Sequence, residues 1–521
     1  MKKTLMLLVC AVLLISLIGG TALAQDAEYK DELIYAINTD IQSHDPQVQN
    51  DTTSENVVKM LYNTLLKFDD DGKIVGDLAE EWSVSEDHLT WTFKLKEGVK
   101  FHNGKEFTSA DVKATYERAM NAEAGGLVTT EIIKMFETVE AVDPYTVAIT
   151  TDEPYGPMEA LLCNMMLGIM DSDYIEEYGL ELGKNPEAEN GTGVFKLVSW
   201  ERDQEVVIER FDDYFGEPAK LQRVIYQVIP EASSRVIALE TGEVDVIDRP
   251  SAEDIARLEA DTENFTVVRK PTVGQRLFRF GCNDDIMKDP LVRRAIVYAI
   301  DRDAIIEALF QGIGYRNTAP LAPVTFGYSD LGGIEQDLEK AKALLAEAGY
   351  PDGFETKIVT TARYQNGIEL AEIVAAQLEK IGIKAEIDVW EWSALVASWS
   401  GITAEEFDQP MFIMGAGPSM RDADGGLRGL YTTSETGLND RNYGFYSNAR
   451  VDELVMEGMK ETDPEKRIEI YKEAMEIMYR EDPAGFWLFD QYGLTVTSSK
   501  VEGVTLSPIS TTTFEKATVR K

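Results

Sequence analysis

The sequence predicts an α/β fold that contains more than one domain. The chain has 521 residues, of which 44% are hydrophobic, so it can bury a large core, and a single core rarely grows beyond about 250–300 residues. Segments with the period of strands alternate along the chain with segments that have the period of helices, and no short repeat is present. These three observations favour a large α/β protein over a disordered or repetitive one.

Hydrophobic periodicity places the first elements. Residues 35–38, 146–150 and 206–209 are short runs of strand-forming residues, and we expect a strand at each. Residues 55–66 carry apolar side chains at helical spacing, which predicts a helix with one buried side. That side would consist of Val58, Leu61, Tyr62 and Leu65.

A strand, a tight turn and a helix are predicted within residues 76–112. In residues 89–96 four large apolar side chains alternate with Thr and Lys, which is the pattern of a half-buried strand. Asn103 and Gly104 tolerate the positive φ of a tight turn. Thr108 and Asp111, three residues apart, can form a capping box at the start of a helix.

Three later helices are predicted to begin at an aspartate, which can accept hydrogen bonds from the free amides of a first turn. Asp289 and Asp463 are each followed by Pro, which loses nothing at the first helical position, and Asp337 begins the third. The helix after Asp289 is expected to run through LVRRAIVYAIDR. Arg293 and Arg294 would lie on or near its exposed side.

The first residues have the features of an export signal. Lys2 and Lys3 precede an apolar run over residues 5–18, and the small residues of TALA at 21–24 have the cleavage spacing. We therefore expect the mature chain to begin at Gln25. The run is too short for a strong membrane span, and nothing later in the sequence resembles one. The product is thus expected to be soluble outside the cytoplasm.

The cysteines predict neither a lipid anchor nor a disulfide framework. Cys10 lies inside the apolar run and is preceded by Val9, whereas lipid attachment needs a small residue before a cysteine at the cleavage point. Cys163 and Cys282 remain after cleavage, 119 positions apart on segments that we place in different domains. Their spacing does not indicate a pairing.

Charge and motifs exclude several classes of function. The chain has 92 acidic and 50 basic residues, and its formal charge of −42 argues against nucleic acid or an anionic membrane as partner. The sequence contains no GxSxG, HExxH or GxxxxGK[ST] motif. His44, His88 and His102 lack metal-ligand spacing, so no metal or cofactor is expected. A two-carboxylate hydrolase stays open because the acids are so numerous.

Several segments resemble one protein family. Residues 76–112, GDLAEEWSVSEDHLTWTFKLKEGVKFHNGKEFTSADV, are similar to the signature of the extracellular solute-binding proteins of family 5. These proteins deliver dipeptides, oligopeptides, glutathione or nickel to ABC importers. Further segments resemble family segments and occur in the family's order: NGTGVFKL, RFDDYFG, IPEASSRVIALETGEVDVI, VRRAIVYAIDRDAII, DLEKAKALLAEAGYPDGF, LAEIVAAQLEKIGIKAEI and DPEKRIEIYKEAMEIMYREDPA.

The resemblance implies a periplasmic binding protein-like α/β fold of the enlarged type II, cluster C kind, with two lobes and a hinge. The first lobe would be discontinuous and carry an inserted subdomain. The implied divisions are 1–24 for the signal peptide, 25–281 and 487–521 for lobe I, 67–192 for the inserted subdomain, and 282–486 for lobe II. The chain would cross between lobes near Gly281 and Gly485, where glycine can absorb hinge rotation.

The resemblance also points to ligand-binding residues in FDQPMFIMGAGPSMRDADGGLRGLY, residues 407–431. In dipeptide receptors of the family an aspartate of the matching loop pairs with the ligand's α-ammonium, and Asp422 and Asp424 are the matching positions. Arg421 beside them could serve a ligand carboxylate. Ala416 stands where many relatives have an aromatic residue, which implies a pocket of different shape.

Four further residues are candidates for the cleft. Arg363, in TTARYQNG, is the candidate for holding an α-carboxylate, and Arg276, in GQRLFRF, lies just before the expected hinge. Trp392 and Tyr155 could supply aromatic walls. The alternatives are a surface ion pair for Arg276 and core packing for the two aromatic residues.

The function that the resemblance implies is a monomeric periplasmic receptor for short peptides or a peptide-like ligand such as glutathione. Its lobes would close on the ligand and hand it to an ABC permease. A nickel-chelate or oligosaccharide receptor of the same fold is the first alternative. The exported two-carboxylate hydrolase and a non-transport sensor or chaperone are alternatives of other classes.

Overall fold

The computed structural model describes residues 29–49, 51–121, 133–399, 402–433 and 441–521. The expected export signal at 1–24 therefore lies outside the described residues. Within the described ranges, no helix combines the length and the apolar character that a membrane crossing needs.

The strands are numbered in chain order. They are β1 (Tyr29–Lys30), β2 (Glu32–Ile37), β3 (Leu66–Phe68), β4 (Ile74–Gly76), β5 (Ala79–Val84), β6 (Thr90–Leu95), β7 (Phe136–Asp143), β8 (Thr146–Thr151), β9 (Phe195–Glu201), β10 (Glu205–Arg210), β11 (Arg223–Val228), β12 (Val246–Asp248), β13 (Phe265–Phe280), β14 (Gly314–Arg316), β15 (Glu355–Thr360), β16 (Lys384–Val389), β17 (Met411–Ala416), β18 (Gly485–Ser498), β19 (Val501–Glu502), β20 (Thr505–Leu506), β21 (Thr512–Thr513) and β22 (Thr518–Arg520).

The α-helices are numbered in the same way. They are α1 (Thr52–Leu61), α2 (Ser109–Met120), α3 (Met158–Leu161), α4 (Ser172–Tyr178), α5 (Ala232–Thr241), α6 (Ala252–Ala260), α7 (Pro290–Ala299), α8 (Arg302–Leu309), α9 (Leu338–Glu347), α10 (Gly367–Glu379), α11 (Trp392–Trp399), α12 (Ala423–Tyr431), α13 (Ala449–Lys460) and α14 (Pro464–Glu476).

One large mixed sheet runs through both lobes. Its order is β16-β15-β17-β13-β18-β12-β2-β11-β10-β9, with β14 also paired to β18. The long antiparallel strands β13 and β18 lie in the middle, so they join the parallel strands of one lobe to those of the other. A separate sheet, β5-β6-β8-β7, belongs to the inserted subdomain.

Three large hydrophobic cores follow this layout. The first-lobe core draws its residues from 33–62, 165–246 and 501–519, and the second-lobe core from 277–489. The subdomain core draws on 65–169 and also includes Met420 and Met459 of the second lobe. The exact boundaries of the lobes stay a prediction. Leu277 and Phe489 belong to the second-lobe core.

The predicted strands and the capped helix after Asn103-Gly104 are confirmed. The runs at 35–38, 89–96, 146–150 and 206–209 fall in β2, β6, β8 and β10. Gly104 has a φ of 89°, and the main chain of Thr108 donates a hydrogen bond of 2.9 Å to the carboxylate of Asp111 before α2 begins. Local periodicity and capping were sufficient here because neighbouring residues supply both partners.

The first predicted helix is shorter than expected and starts earlier. Asp51 accepts a hydrogen bond of 2.9 Å from the amide of Ser54, so α1 begins at Thr52. The helix ends at Leu61, whose carbonyl accepts a hydrogen bond of 2.8 Å from the amide of Gly193. Leu65 is buried as expected, but it precedes strand β3 rather than ending a helix. A contact with a residue 132 positions away ends the helix, and periodicity could not show it.

The helix after Asp289 also differs from its prediction. Asp289, Asp337 and Asp463 cap α7, α9 and α14 as expected. However, α7 ends at Ala299, since Asp301 caps a new helix, α8. Arg293 is buried, not exposed: its guanidinium donates to the carbonyl oxygens of Pro483 and Met287 and pairs with Asp482.

Asp490 is a buried carboxylate on β18, opposite Gln275 of β13. Its Oδ1 accepts hydrogen bonds from the side chains of Gln275 and Asn317 at 2.7 and 2.8 Å, while Oδ2 has no partner. Burial raises the pKa of Asp490 to about 7, compared with about 3.9 in an unfolded chain. The folded protein therefore retains this proton between about pH 4 and pH 7, where the unfolded chain releases it.

We expect Asp490→Asn to change how stability depends on pH. The wild-type free energy of unfolding should fall as the pH rises from 4 to 7, because over this range the unfolded chain releases the proton while the folded chain keeps it. Asn resembles the protonated form, so the variant should gain on the order of 2 kcal/mol relative to wild type between pH 5 and pH 8. Denaturant unfolding at both pH values measures the gain, with exposed Asp285→Asn as control. An equal pH dependence in wild type and Asp490→Asn would contradict the assignment.

Candidate ligand-binding cleft

A cleft of about 930 Å³ lies where β13 and β18 pass between the lobes. The first lobe lines it with polar residues after β2 and β12 and at the start of α1. The second lobe lines it with residues 362–365, after β15, and with Gly415 and Ala416 at the end of β17. The two crossing strands contribute residues 272–276 and 491–495, apart from Val273. A ligand in this cleft would touch both lobes and the crossing strands.

Arg276 is a buried cation of this cleft without an acidic partner. It is 8% exposed, and among the described residues no ion pair includes it. Its guanidinium carbon lies 3.7 Å from the ring centroid of Tyr364, and its Nη1 atom is buried without a hydrogen-bond acceptor. Burial lowers the pKa of Arg276, and the Tyr364 hydroxyl opposes this effect. Because burying an unpaired charge is costly, this arrangement suits an anionic group that arrives with the ligand.

The neighbouring strand is shaped to hold Arg276 in place. Arg276 pairs in register with Gly415 of β17, and a Cβ atom at Gly415 would lie only 3.1 Å from Arg276 Nη1. The amide of Gly415 donates a hydrogen bond of 3.1 Å to the Tyr364 hydroxyl. Glycine at 415 thus leaves room for the guanidinium, and Tyr364 is fixed above it.

Arg363 brings a second guanidinium to the same wall. It lies in the exposed loop between β15 and α10, and its guanidinium carbon is 4.9 Å from the ring centroid of Trp392. Trp392 is not itself among the cleft residues, but it packs edge-on against Tyr364 at 5.6 Å. Arg276 and Arg363 therefore both line the cleft, while Trp392 contacts Arg363 and Tyr364 from outside the lining.

Asp422 and Asp424 are held in ion pairs and are not among the cleft residues. Asp422 caps α12 and accepts hydrogen bonds from both terminal nitrogens of Arg467, at 3.0 and 2.8 Å. Asp424 accepts two from Arg428, at 2.7 and 2.9 Å, and one from the hydroxyl of Tyr155, at 3.1 Å. Both carboxylates are buried, and arginines of the second lobe neutralise them.

Tyr155 and Arg421 lie where the inserted subdomain contacts the second lobe. Tyr155 is buried and reaches Asp424, and the next residue, Gly156, donates its amide to the carbonyl of Met459 at 2.8 Å. The guanidinium carbon of Arg421 lies 4.2 Å from the ring centroid of Phe68. These two candidates therefore join the subdomain to the second lobe, outside the cleft lining.

Sequence reasoning missed Tyr364, Asp248 and Arg249 as cleft residues. Tyr364 follows Arg363 directly, so the same loop could have indicated it. Asp248 and Arg249 stand at the carboxyl end of the buried strand in VDVIDRP, where polar residues at a strand end often border a site. Only the sheet order shows that this strand end faces the loop after β15.

Comparison with known proteins identifies the family. The family model described as bacterial extracellular solute-binding proteins, family 5 Middle, matches residues 73–437. The chain belongs to this family. The glutathione-binding protein GsiB of Salmonella typhi is 30% identical over 483 residues, which cover 89% of this chain and 93% of GsiB.

Two solved structures extend the comparison to the fold. The periplasmic binding protein DppA of Helicobacter pylori, solved with the peptide STSA, is 29% identical with a TM-score of 0.79; the match covers 94% of this chain and 98% of DppA. AgaA of A. tumefaciens R10, solved with agropinic acid, is 29% identical with a TM-score of 0.77 and coverages of 94% and 99%. The predicted family and fold class are confirmed. The family is one of solute-binding proteins, not of enzymes.

We expect Asp422→Ala to destabilise the second lobe. The substitution leaves Arg467 buried without its partner, and removing one member of a buried pair costs about 3–5 kcal/mol. Denaturant unfolding measures the loss. The double variant Asp422→Ala with Arg467→Met should recover part of it, because the unpaired charge is gone. A fully stable Asp422→Ala protein would show that the ion pair does not support the lobe.

Proposed function

We propose that this protein is a periplasmic receptor for short peptides or peptide-like solutes with a free carboxylate, glutathione included. It is exported through the signal at residues 1–24, acts as a monomer and passes its ligand unchanged to an ABC permease. The observation that carries the proposal is Arg276, a buried guanidinium that faces the cleft without an acidic partner.

A ligand carboxylate would neutralise the guanidinium of Arg276, for which the protein provides no acidic partner. Guanidinium and carboxylate form short, charge-assisted hydrogen bonds, often in pairs. Arg363, on the same wall, can add a second contact or guide the anion into the cleft. Since Arg276 is already buried and fixed by Tyr364, little ordering cost remains when the ligand binds.

The relatives support the same ligand class. GsiB is named for glutathione binding, and DppA was solved with the peptide STSA. A peptide with a free C-terminus has at least one carboxylate, and glutathione has two, so Arg276 could serve either ligand. The ion pairs of Asp422 and Asp424 support the second lobe in this proposal and do not touch the ligand.

Closure of the lobes would give the binding its energy. The cleft draws residues from both lobes, so a ligand reaches all its contacts only when they are close together. A micromolar affinity corresponds to about 8 kcal/mol of net binding free energy. A buried carboxylate–arginine contact is large enough to decide between ligands at this level, because losing one partner costs about 2–5 kcal/mol.

We expect Arg276→Gln to abolish the preference for a free carboxylate. Titration calorimetry would compare each peptide of a di- and tripeptide set with its C-terminal amide, and glutathione with its diamide. Wild type should bind the free acids at least about 30-fold more tightly, which is about 2 kcal/mol. Arg276→Gln should bind acid and amide almost equally.

Arg279→Gln is the matched control for this comparison. Arg279 is a buried arginine of the same strand, but it donates to the carbonyl oxygens of Leu430 and Arg441 and to Asn442, away from the cleft. Its loss should lower the unfolding temperature and leave the acid-to-amide ratio as in wild type. If Arg276→Gln kept that ratio, the carboxylate would bind elsewhere. Recovery of cleaved peptide by mass spectrometry would indicate a hydrolase instead of a receptor.

A further inference from the structure

Three carboxylates line the cleft, and two of them accept hydrogen bonds from other groups of the protein on both oxygens. Asp40 accepts hydrogen bonds from the indole nitrogen of Trp200, at 2.9 Å, and from the amide of Asp203, at 3.0 Å. Asp51 caps α1 and accepts from the amide and the hydroxyl of Ser54, at 2.9 and 2.6 Å. In both groups each carboxylate oxygen accepts at least one hydrogen bond from the protein.

Asp248 is the third carboxylate, and it differs from the other two. It ends strand β12 on the first-lobe side of the cleft and is 7% exposed. Its Oδ1 atom is buried without a hydrogen-bond donor. The guanidinium nitrogens nearest to it are Nε of Arg235, 3.4 Å from Oδ1, and Nε of Arg249, 3.6 Å from Oδ2. These are ion pairs at long range, not hydrogen bonds.

Arg235 does not donate a hydrogen bond to the carboxylate of Asp248, because the N–H groups of its guanidinium bond to main-chain carbonyl oxygens. Its guanidinium donates to the carbonyl oxygens of Ile229, Pro230, Asp248 and Arg249, at distances between 2.7 and 3.2 Å. These four bonds hold the turn after β12 against the start of α5. Arg235 therefore fixes the position of the Asp248 main chain and leaves Oδ1 of its carboxylate without a hydrogen bond.

Arg249 is an exposed partner for Asp248. Its side chain is 55% exposed, and its φ of 45° lies in the left-handed region that a non-glycine residue rarely adopts. Burial raises the pKa of Asp248, with Arg249 and Arg235 opposing this effect. A cationic group from the ligand would therefore lower the cost of burying the Asp248 carboxylate, because it would donate a hydrogen bond that the protein does not provide.

We propose that Asp248 is the subsite for a ligand ammonium group, and that the cleft recognises zwitterions through Asp248 on one wall and Arg276 on the other. This inference rests on the proposed function, since it adds the second charge of the same ligand. The cleft thus presents a buried oxygen and a buried guanidinium nitrogen that each lack a hydrogen-bond partner and that belong to groups of opposite charge. The oxygen belongs to the first lobe, and the guanidinium packs against Tyr364 of the second.

Such a pair of subsites would couple ligand charge to lobe closure. Asp248 ends a strand of the first lobe, whereas Arg276 packs on Tyr364 and Gly415 of the second. A ligand that carries both charges bridges the lobes, and one that lacks either charge holds only one of them. N-acylated peptides would be bound weakly for this reason.

Titration calorimetry with matched pairs of ligands tests the subsite. The probes are glutathione and a set of di- and tripeptides, each compared with its N-acetyl derivative. Wild type should bind the free amines at least tenfold more tightly. In Asp248→Asn this ratio should fall to about one, while the preference for a free acid over its C-terminal amide persists.

Asp245→Asn provides the matched control. Asp245 is a buried acid three residues earlier that accepts hydrogen bonds from Lys30 and from the amide of Ile34, outside the cleft. Its loss should reduce stability without changing the ratio of free amine to N-acetyl derivative. This control separates a general loss of stability or of negative charge from the loss of the ammonium partner.

The outcomes distinguish the two proposals. If wild type prefers free acids but binds free amines and N-acetyl derivatives alike, the Asp248 subsite is overturned and the proposed function stands. This comparison uses wild-type protein alone, so it tests the Asp248 subsite even if Asp248→Asn does not fold. If Asp248→Asn folds and keeps the full preference for the free amine, the ammonium binds elsewhere. If wild type binds no member of the set, both proposals fall.

Discussion

The antiparallel pairing of β13 with β18 is the constraint on which the molecule depends. The two strands carry the large sheet from one lobe into the other, and they place Gln275, Arg276 and the residues after Gln491 at the floor of the cleft. Register shifts in this pairing fall next to Gln275 and Arg276. A bulge re-aims side chains and bends the strand locally, so the strands turn their polar residues toward the cleft at the point where the lobes meet.

Many buried charges of the described structure are held by other groups of the protein. Arg279, Arg293 and Arg302 are buried arginines whose guanidinium groups are held by several main-chain carbonyl oxygens. Asp422 and Asp424 are buried acids held by arginines. Arg279, Arg302 and Asp490 each keep one buried atom without a hydrogen-bond partner, and so do Arg276 and Asp248. Of these five residues, Arg276 and Asp248 line the cleft. In a binding protein, a buried charged group without a full set of partners favours ligand binding, because the ligand can provide the missing hydrogen bond.

Much of the local structure could be predicted from the sequence, and the site only in part. The capped helices after Asp289, Asp337 and Asp463 follow from partners within four residues. Arg293, in contrast, is buried by carbonyl oxygens near residue 483, which no helical pattern reveals. Arg276 and Arg363 line the cleft, whereas the loop at 421–424 meets Arg467 and the inserted subdomain.

The sequence by itself determined many of the strands and helix starts, the family and the class of protein, because alternation, capping and long signature segments are local properties of the chain. The tertiary structure decided which charged residues are free to meet a ligand. That choice depends on partners far apart in sequence, such as Asp422 with Arg467 or Arg276 with Tyr364. The sequence around a charged residue does not show whether that residue has a partner of opposite charge. Only the packing shows which charges are already neutralised.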